Sequence, residues 1–306
     1  MKRFIIDLHM HTTVSDGTDT PEALRDLVKA AGVALFSVTD HDAIRGAEIL
    51  ERLKEDRGTA FSESSPSIEG PASIENPAFL TGAEFSCRDE EGKYHILAYG
   101  YDPAAGPILA LAEKGHAFRM EKLKTRLDFL ESEFGFTFPE EELAALYAMS
   151  NPGKPHIGSL MVKYGYASTK AEAIDGYIER LNVKSGYFRP EEVITQVLAS
   201  GGIPVLAHPS FGSGNQLIVG GDMERRVRRL TEYGLKGLEA FYSGFSDVLR
   251  RENLELAERY GLYVTEGSDY HGGNKTVRIG DTGLTEAVEW PEGLRRFLRD
   301  VSFDRQ

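Results

Sequence analysis

Short apolar runs alternate with amphipathic stretches of helical period along most of this chain, and nearly every run closes on a histidine or a carboxylate. Such alternation argues for an α/β fold in which βα units surround a mostly parallel sheet buried on both faces. The expected strands are residues 4–10, 33–40, 78–86, 94–101, 203–209, 237–242 and 262–269. Between the first two, TPEALRDLVKAAG (20–32) carries Thr20 as N-cap, Pro21 at the first helical position and Gly32 as the stop. The chain therefore opens as a βαβ unit, and the helix–glycine–strand grammar returns at 190–206, 232–240 and 258–266.

Two stretches break the rhythm. Residues 58–77 are dense in Ser, Pro, Gly and Glu without an apolar period, and are expected to form an exposed, mobile excursion. From 103 to 189 only helical patterns occur, which predicts a helical insert, a lid carried by a body made of residues 1–102 and 190–306. No repeat of fixed period is present.

Charge and composition narrow the partners. Thirty-five Lys and Arg against 48 Asp and Glu leave −13, so the bulk field repels long nucleic acid and anionic lipid. A polyanionic substrate then needs local cations. The lone Cys87 closes no intramolecular disulfide and suits a reducing compartment. The first strand meets His9 after only five apolar-dominated positions, too short for a signal segment, and no run approaches the roughly 18 apolar residues of a membrane span. A cytoplasmic protein without membrane attachment is expected.

Seven of the eight histidines fall at strand ends, turns or element starts; His116, inside a helix, reads as a surface residue. Side chains alternate along a strand, so His9 and His11 share one face and can hold an ion together. Asp16 lies in the loop after that strand, Asp40 and His41 close the second, Glu84 ends the third, His208 ends the fifth, and Asp269 and His271 end the last. In parallel α/β folds such strand ends build the active site. His95 opens its strand instead, but an antiparallel return through Asp89-Glu90-Glu91-Gly92 brings it back beside Glu84. Imidazole with carboxylate suits Zn, Mn or Fe, and so many donors exceed one tetrahedral site, which implies more than one ion, with Glu84 able to bridge two.

Taken in order, His9-x-His11, Ser15-Asp16-Gly17, Thr39-Asp40-His41, Gly82-Ala83-Glu84, His95-Ile96-Leu97, Ala207-His208-Pro209 and Gly267-Ser268-Asp269-x-His271 resemble the motifs of the PHP (polymerase and histidinol phosphatase) family. The resemblance implies a distorted (β/α)7 barrel with a helical insert domain and a centre of three divalent ions, Mn2+, Zn2+ or Fe2+. It assigns His9, His11, Glu84 and Asp269 to a first ion, Glu84, His95 and His208 to a second, and Asp16, His41 and His271 to a third.

The insert followed by Lys154-Pro155-His156-Ile157-Gly158 is similar to the TrpH/YciV-like branch, which implies hydrolysis of a phosphate ester of a nucleotide: a 3′,5′-bisphosphonucleotide, a nucleoside monophosphate or a short 5′-phosphorylated oligoribonucleotide. That branch usually has Arg-Pro-His, and lysine keeps the charge but loses the bidentate fork. His156 is read as a phosphate ligand, the other roles open to it being general acid and metal ligand in place of His95. Metal-activated hydroxide is expected to attack phosphorus, His208 or His156 to protonate the departing oxygen, and Asp40 to orient a neighbour. Lys154, Lys184 and Arg189 are candidates for phosphate binding, and Tyr187 and Phe188 for stacking on a base or packing the lid. The basic run Arg225–Arg229 also carries Glu224 and Glu232 on its helix and reads as a salt-laced exposed face.

Three other readings compete. A histidinol-phosphate phosphatase shares the metals but need not carry the large insert. A C–N bond amidohydrolase commonly has a carbamylated lysine where Glu84 stands, and a non-catalytic PHP module is expected to have lost ligands, whereas none of the nine positions is lost.

Overall fold

The computed structural model of the 306-residue chain describes residues 4–55, 77–212, 216–285 and 289–301. Its strands are β1 (Ile5–Asp7), β2 (Val33–Val38), β3 (Ala78–Asp89), β4 (Gly92–Tyr99), β5 (Ile203–Leu206), β6 (Gly237–Tyr242) and β7 (Tyr263–Gly267), and they stand in sequence order in one sheet. Neighbours run parallel except at β4, which is antiparallel to both β3 and β5. The sheet curls onto itself where the backbone beyond β1 meets β7: Leu8 N donates to Glu266 O at 3.1 Å, and Asp269 N donates to His9 O at 2.8 Å. The result is the expected distorted seven-stranded barrel.

Helices α1 (Pro21–Ala30) and α2 (Arg45–Glu55) cover one side, while α7 (Pro190–Ala199), α8 (Gly220–Tyr233), α9 (Asp247–Arg259) and α10 (Glu292–Asp300) cover the rest. The Thr20 hydroxyl caps α1 by accepting from Ala23 N, with Pro21 at the first position. Inside, Phe36, Phe85, Leu97, Val205, Leu238 and Phe241 are fully buried.

Several strands are shorter than their apolar runs. Residues 8–10 leave the β1–β2 ladder because they thread between β2 and β7, with Leu8 paired to Glu266 and Met10 O accepting from Thr39 N at 2.8 Å. β5 and β7 stop where His208 (φ 27°) and Asp269 (φ 58°) take left-handed conformations that no ladder accepts. The β3–β4 hairpin is longer than expected, turning at Asp89-Glu90-Glu91-Gly92 with Ser86 opposite His95.

Between β4 and α7 the elements are α3 (Gly106–Phe134), α4 (Glu140–Tyr147), α5 (Lys154–Lys163), α6 (Lys170–Gly176) and a single 3-10 turn, Ile178–Arg180. Leu123, Leu130, Leu146, Ile157, Met161 and Ile178 form an apolar cluster of their own, roofed by the stacked rings of Phe136 and Tyr166 at 4.3 Å. Most of the Ser/Pro-rich 58–77 excursion lies outside the described residues. The Arg225–Arg229 run is only half surface. Arg225 and Arg228 are exposed, but Arg226 is buried over the Tyr94 ring at 4.7 Å and Arg229 grips Asp89 and Glu91, because helical spacing turns these two toward the β3–β4 hairpin. Among the described residues no helix is long and apolar enough to cross a membrane.

Candidate metal centre

All nine predicted ligand positions converge at the mouth of the barrel, at the carboxyl ends of its parallel strands. His9 and His11 point inward from the threaded segment after β1. His9 Nε2 lies 3.4 Å from Glu84 Oε1 and 3.6 Å from Asp269 Oδ1, and His11 Nε2 lies 3.2 Å from Glu84 Oε2 and 3.3 Å from Asp269 Oδ1. Glu84 is central: His41 Nδ1 approaches it at 2.8 Å, His95 Nδ1 at 2.9 Å and His208 Nε2 at 3.3 Å. On the far side, Asp16 Oδ1 stands 3.4 Å from His271 Nε2 and 3.9 Å from His41 Nε2. Three groups of donors result, His9/His11/Glu84, His41/Glu84/His95 and His11/Asp16/His41/His271. The antiparallel β4 does bring His95 beside Glu84, as the sequence suggests.

Whether these residues fit metal can be judged from what their atoms lack. His9 Nε2, His11 Nε2, His41 Nδ1, Asp16 Oδ1 and both Glu84 oxygens are buried without a hydrogen-bond partner among the described residues. Each such atom costs about 1–3 kcal/mol if left unmet. Six of them in one spot describe a cation cradle. The opposite ring nitrogens are spoken for: His9 Nδ1 donates to Glu239 Oε1 at 2.8 Å, His208 Nδ1 to Phe211 O at 2.9 Å and His271 Nδ1 to Asp269 O at 2.9 Å. A carboxylate or carbonyl only accepts, so these rings keep their Nε2 lone pairs aimed at the centre, as metal-bound imidazoles require.

The electrostatics agree. Against the cost of burial, His95, His41 and His9 hold the Glu84 carboxyl well below the usual range; against the same cost, His41 and His271 hold Asp16 low, and Lys275 and His271 hold Asp269 low. Burial pulls His41 down to about 3 and lowers His95 and His271. His9, His11 and His208 go the other way, His11 up to about 9, because the surrounding carboxylates outweigh the cost of burial. The backbone is also strained here: Asp42 (φ 53°), His208 and Asp269 are the non-glycine residues of positive φ among those described.

The other predicted residues take different places. Asp40 is buried and accepts from Thr12 N, Thr12 Oγ1 and Ser15 Oγ at 2.7–2.8 Å, fastening the loop after His11. His156, in the first turn of α5, accepts from Gly153 N at Nδ1 (2.9 Å); burial lowers its pKa although Asp16 is near. Lys154 pairs with Glu179 at 2.5 Å, Lys184 is exposed, and Arg189 forks onto Glu90 at 2.9 and 3.2 Å at the surface. His116 is exposed beside Ser150 O.

Sequence reading missed the supports. Glu239, inside the apolar run GLEAFY, joins His9 to the backbone of His208 (2.7 Å); a lone carboxylate in a buried strand was the available signal. Lys275 and Tyr242 both bind Asp269 Oδ2, at 2.5 and 2.9 Å. Asp42 accepts from Ser86 N (2.7 Å) and Arg119 Nε (2.7 Å), and Asn151 Nδ2 donates to His41 O (2.8 Å), tying the insert to the ligand-bearing loop.

No family model matches the chain. Among curated proteins it is 30% identical over 279 residues to a phosphoribosyl 1,2-cyclic phosphate 1,2-diphosphodiesterase of Eggerthella lenta, covering 88% of this chain and 94% of that one. It is 28% identical to a 3′,5′-nucleoside bisphosphate phosphatase of Chromobacterium violaceum over 96% and 98% of the two chains. A solved structure from Bifidobacterium adolescentis, described as a metal-dependent phosphoesterase, superposes with a TM-score of 0.75 at 26% identity over 97% of this chain and 96% of that one. With its motif order and barrel mouth in agreement with that likeness, the chain belongs to the PHP family, in its TrpH/YciV-like branch of metal-dependent phosphoester hydrolases.

Proposed function

We propose that the protein hydrolyses a phosphate ester of a small ribose compound that carries a second phosphoryl group, a 3′,5′-bisphosphonucleotide or a short 5′-phosphorylated oligoribonucleotide, with three divalent ions at the barrel mouth. The observation that carries the reading is the set of six unpaired buried donor atoms around Glu84. His9, His11, Glu84 and Asp269 would hold one ion, Glu84, His95 and His208 a second, and Asp16, His41 and His271 a third; His41 turns Nδ1 toward Glu84 and Nε2 toward Asp16. Bound ions supply Lewis acidity, lowering the pKa of a water toward neutrality and neutralising phosphoryl charge. The two relatives described above, at 30% and 28% identity, are named for a phosphoribosyl and a nucleoside bisphosphate substrate, which favours this class over an amino-alcohol phosphate.

The chain's own residues divide the remaining work. His156 accepts at Nδ1, so its neutral ring carries the proton on Nε2, ready to donate to a phosphoryl or departing oxygen. His208 Nε2 faces Glu84 at 3.3 Å and His95 at 3.4 Å, which suits a ligand better than an acid. Asp40 keeps the Thr12–Ser15 loop, and with it Asp16, in register. Lys154, Lys184 and Arg189 are kept as candidate phosphate-binding cations, Lys154 exchanging Glu179 and Arg189 exchanging Glu90 for the substrate.

The test is phosphate release from adenosine 3′,5′-bisphosphate by Mn2+-loaded protein, with AMP, histidinol phosphate and a short 5′-phosphorylated RNA alongside. Preferred turnover of the bisphosphate or the RNA is expected. Turnover of histidinol phosphate alone would overturn the reading.

A further inference from the structure

The insert carries a second concentration of charge that the metal centre does not use. Arg119, Lys122 and Arg126 are spaced i, i+3, i+7 along α3 and so share the face that looks onto the barrel. Arg119 is spent on Asp42. Lys122 is not: its side chain is 4% exposed, its Nζ comes no nearer than 3.9 Å to the Asp42 oxygen already held by Arg119, and it makes no hydrogen bond among the described residues. Lys93, from the start of β4, also faces the Tyr187 ring, its ammonium 5.2 Å from the ring centre against 4.5 Å for Lys122. Tyr187, Lys93 and Arg126 are half-buried, so the basin opens to solvent above a buried floor. Gly186 (φ 72°) lets the loop lie this close, since a Cβ there would meet Lys122 Cγ at 3.0 Å and Phe118 O at 3.1 Å. In a chain of net charge −13, Lys122, Lys93 and Arg126 gather three cationic side chains where the acceptor nearest Lys122, the Asp42 carboxylate, is already held by Arg119 and Ser86, a local surplus of positive charge that suits an anion.

We propose that Lys122, Lys93 and Arg126, with Tyr187, bind the second, non-reacting phosphate of the substrate. Asp42 links this basin to the centre, because it follows the ligand His41 and anchors Ser86, which pairs with His95 across the hairpin. The inference rests on the bisphosphate reading above for its ligand, while the basin itself is independent of it.

The experiment compares wild type, Lys122→Met and Lys122→Arg with Mn2+ on adenosine 3′,5′-bisphosphate and on p-nitrophenyl phosphate, which has one phosphate. The ratio of kcat/KM for the bisphosphate to that for the aryl phosphate should fall about ten- to a hundredfold in Lys122→Met, mostly through KM, and recover in part in Lys122→Arg. An unchanged ratio overturns the proposal. Inorganic pyrophosphate binding to the metal-free protein, followed by calorimetry, separates the two readings if wild type ignores the bisphosphate: about tenfold weaker binding in Lys122→Met keeps the basin, and equal binding removes it. Should Lys122→Met fail to fold, Lys93→Met answers the same comparisons.

Discussion

The barrel mouth and the core of the helical insert are built on opposite terms. At the mouth, carboxylates and imidazoles are buried with their lone pairs unmet and three residues hold strained backbone. In the insert, Leu130, Ile157, Met161 and Ile178 are fully packed, and the rings of Phe134, Phe136 and Tyr166 stack in a row with Tyr177 edge-on to Phe134. The apolar core of the insert is complete in itself, whereas the donors at the mouth suit cations.

The sharpest way to break this contrast is at Asp269 or His11. Asp269→Asn and His11→Ala should each lower turnover on the order of a thousandfold while the metal-free protein melts nearly as before. Steady-state kinetics beside a melting curve decide it, and undiminished turnover in both variants would sink the metal assignment. Next in size, Leu130→Ala should cost the fold about 2–5 kcal/mol, as a buried cavity does. Chemical denaturation with and without Mn2+ should give that loss equally in both conditions; a loss confined to the loaded protein would mean that the insert core is not self-sufficient. Glu239→Gln keeps the shape but weakens the grip on His9 Nδ1, and should reduce metal affinity about ten- to a hundredfold in a calorimetric titration, an outcome that unaltered affinity would refute.

The smallest effect concerns pH. Burial raises Glu266 to about 8 in the folded chain against an ordinary value of 4.5, with Thr282 Oγ1 donating to it at 2.6 Å. The folded state binds the extra proton, so this group's contribution to stability is full below about pH 4.5 and is lost as pH rises through about 8. Glu266→Gln should flatten the decline of Tm across that window; an identical decline would clear Glu266 of the effect.

Much of this was legible in residue order. Strand-end motifs point to the donors that converge at the mouth, because strands alternate their side chains and parallel barrels gather their carboxyl ends. Even His95 could be placed, from four turn-forming residues. What stayed hidden needed three dimensions. Glu239 sits mid-strand within an apolar run, and Lys275 and Tyr242 meet at Asp269 only after the chain has closed its ring. Arg119, Lys122 and Arg126 share a helical face, but the pattern alone does not say that the face looks onto the mouth rather than into water. Strand ends at 206 and 267 were set by left-handed turns at His208 and Asp269, which apolar runs cannot reveal.

The reversed direction of β4 has a further consequence. A strand running against its neighbours delivers the chain to the floor of the barrel, where Asp102 N bonds to Ser200 O just ahead of β5. Helix α3 must therefore climb the outer wall. It passes Asp42 so closely at Gly115 that a Cβ would sit 2.7 Å from the Asp42 carbonyl oxygen, and it continues past the rim. Its 29 residues at 1.5 Å each span about 43 Å. The helix works as a measuring rod, so the depth of the barrel decides where along α3 the cations must stand, and shifting them by a single residue would turn them about 100° away from the mouth.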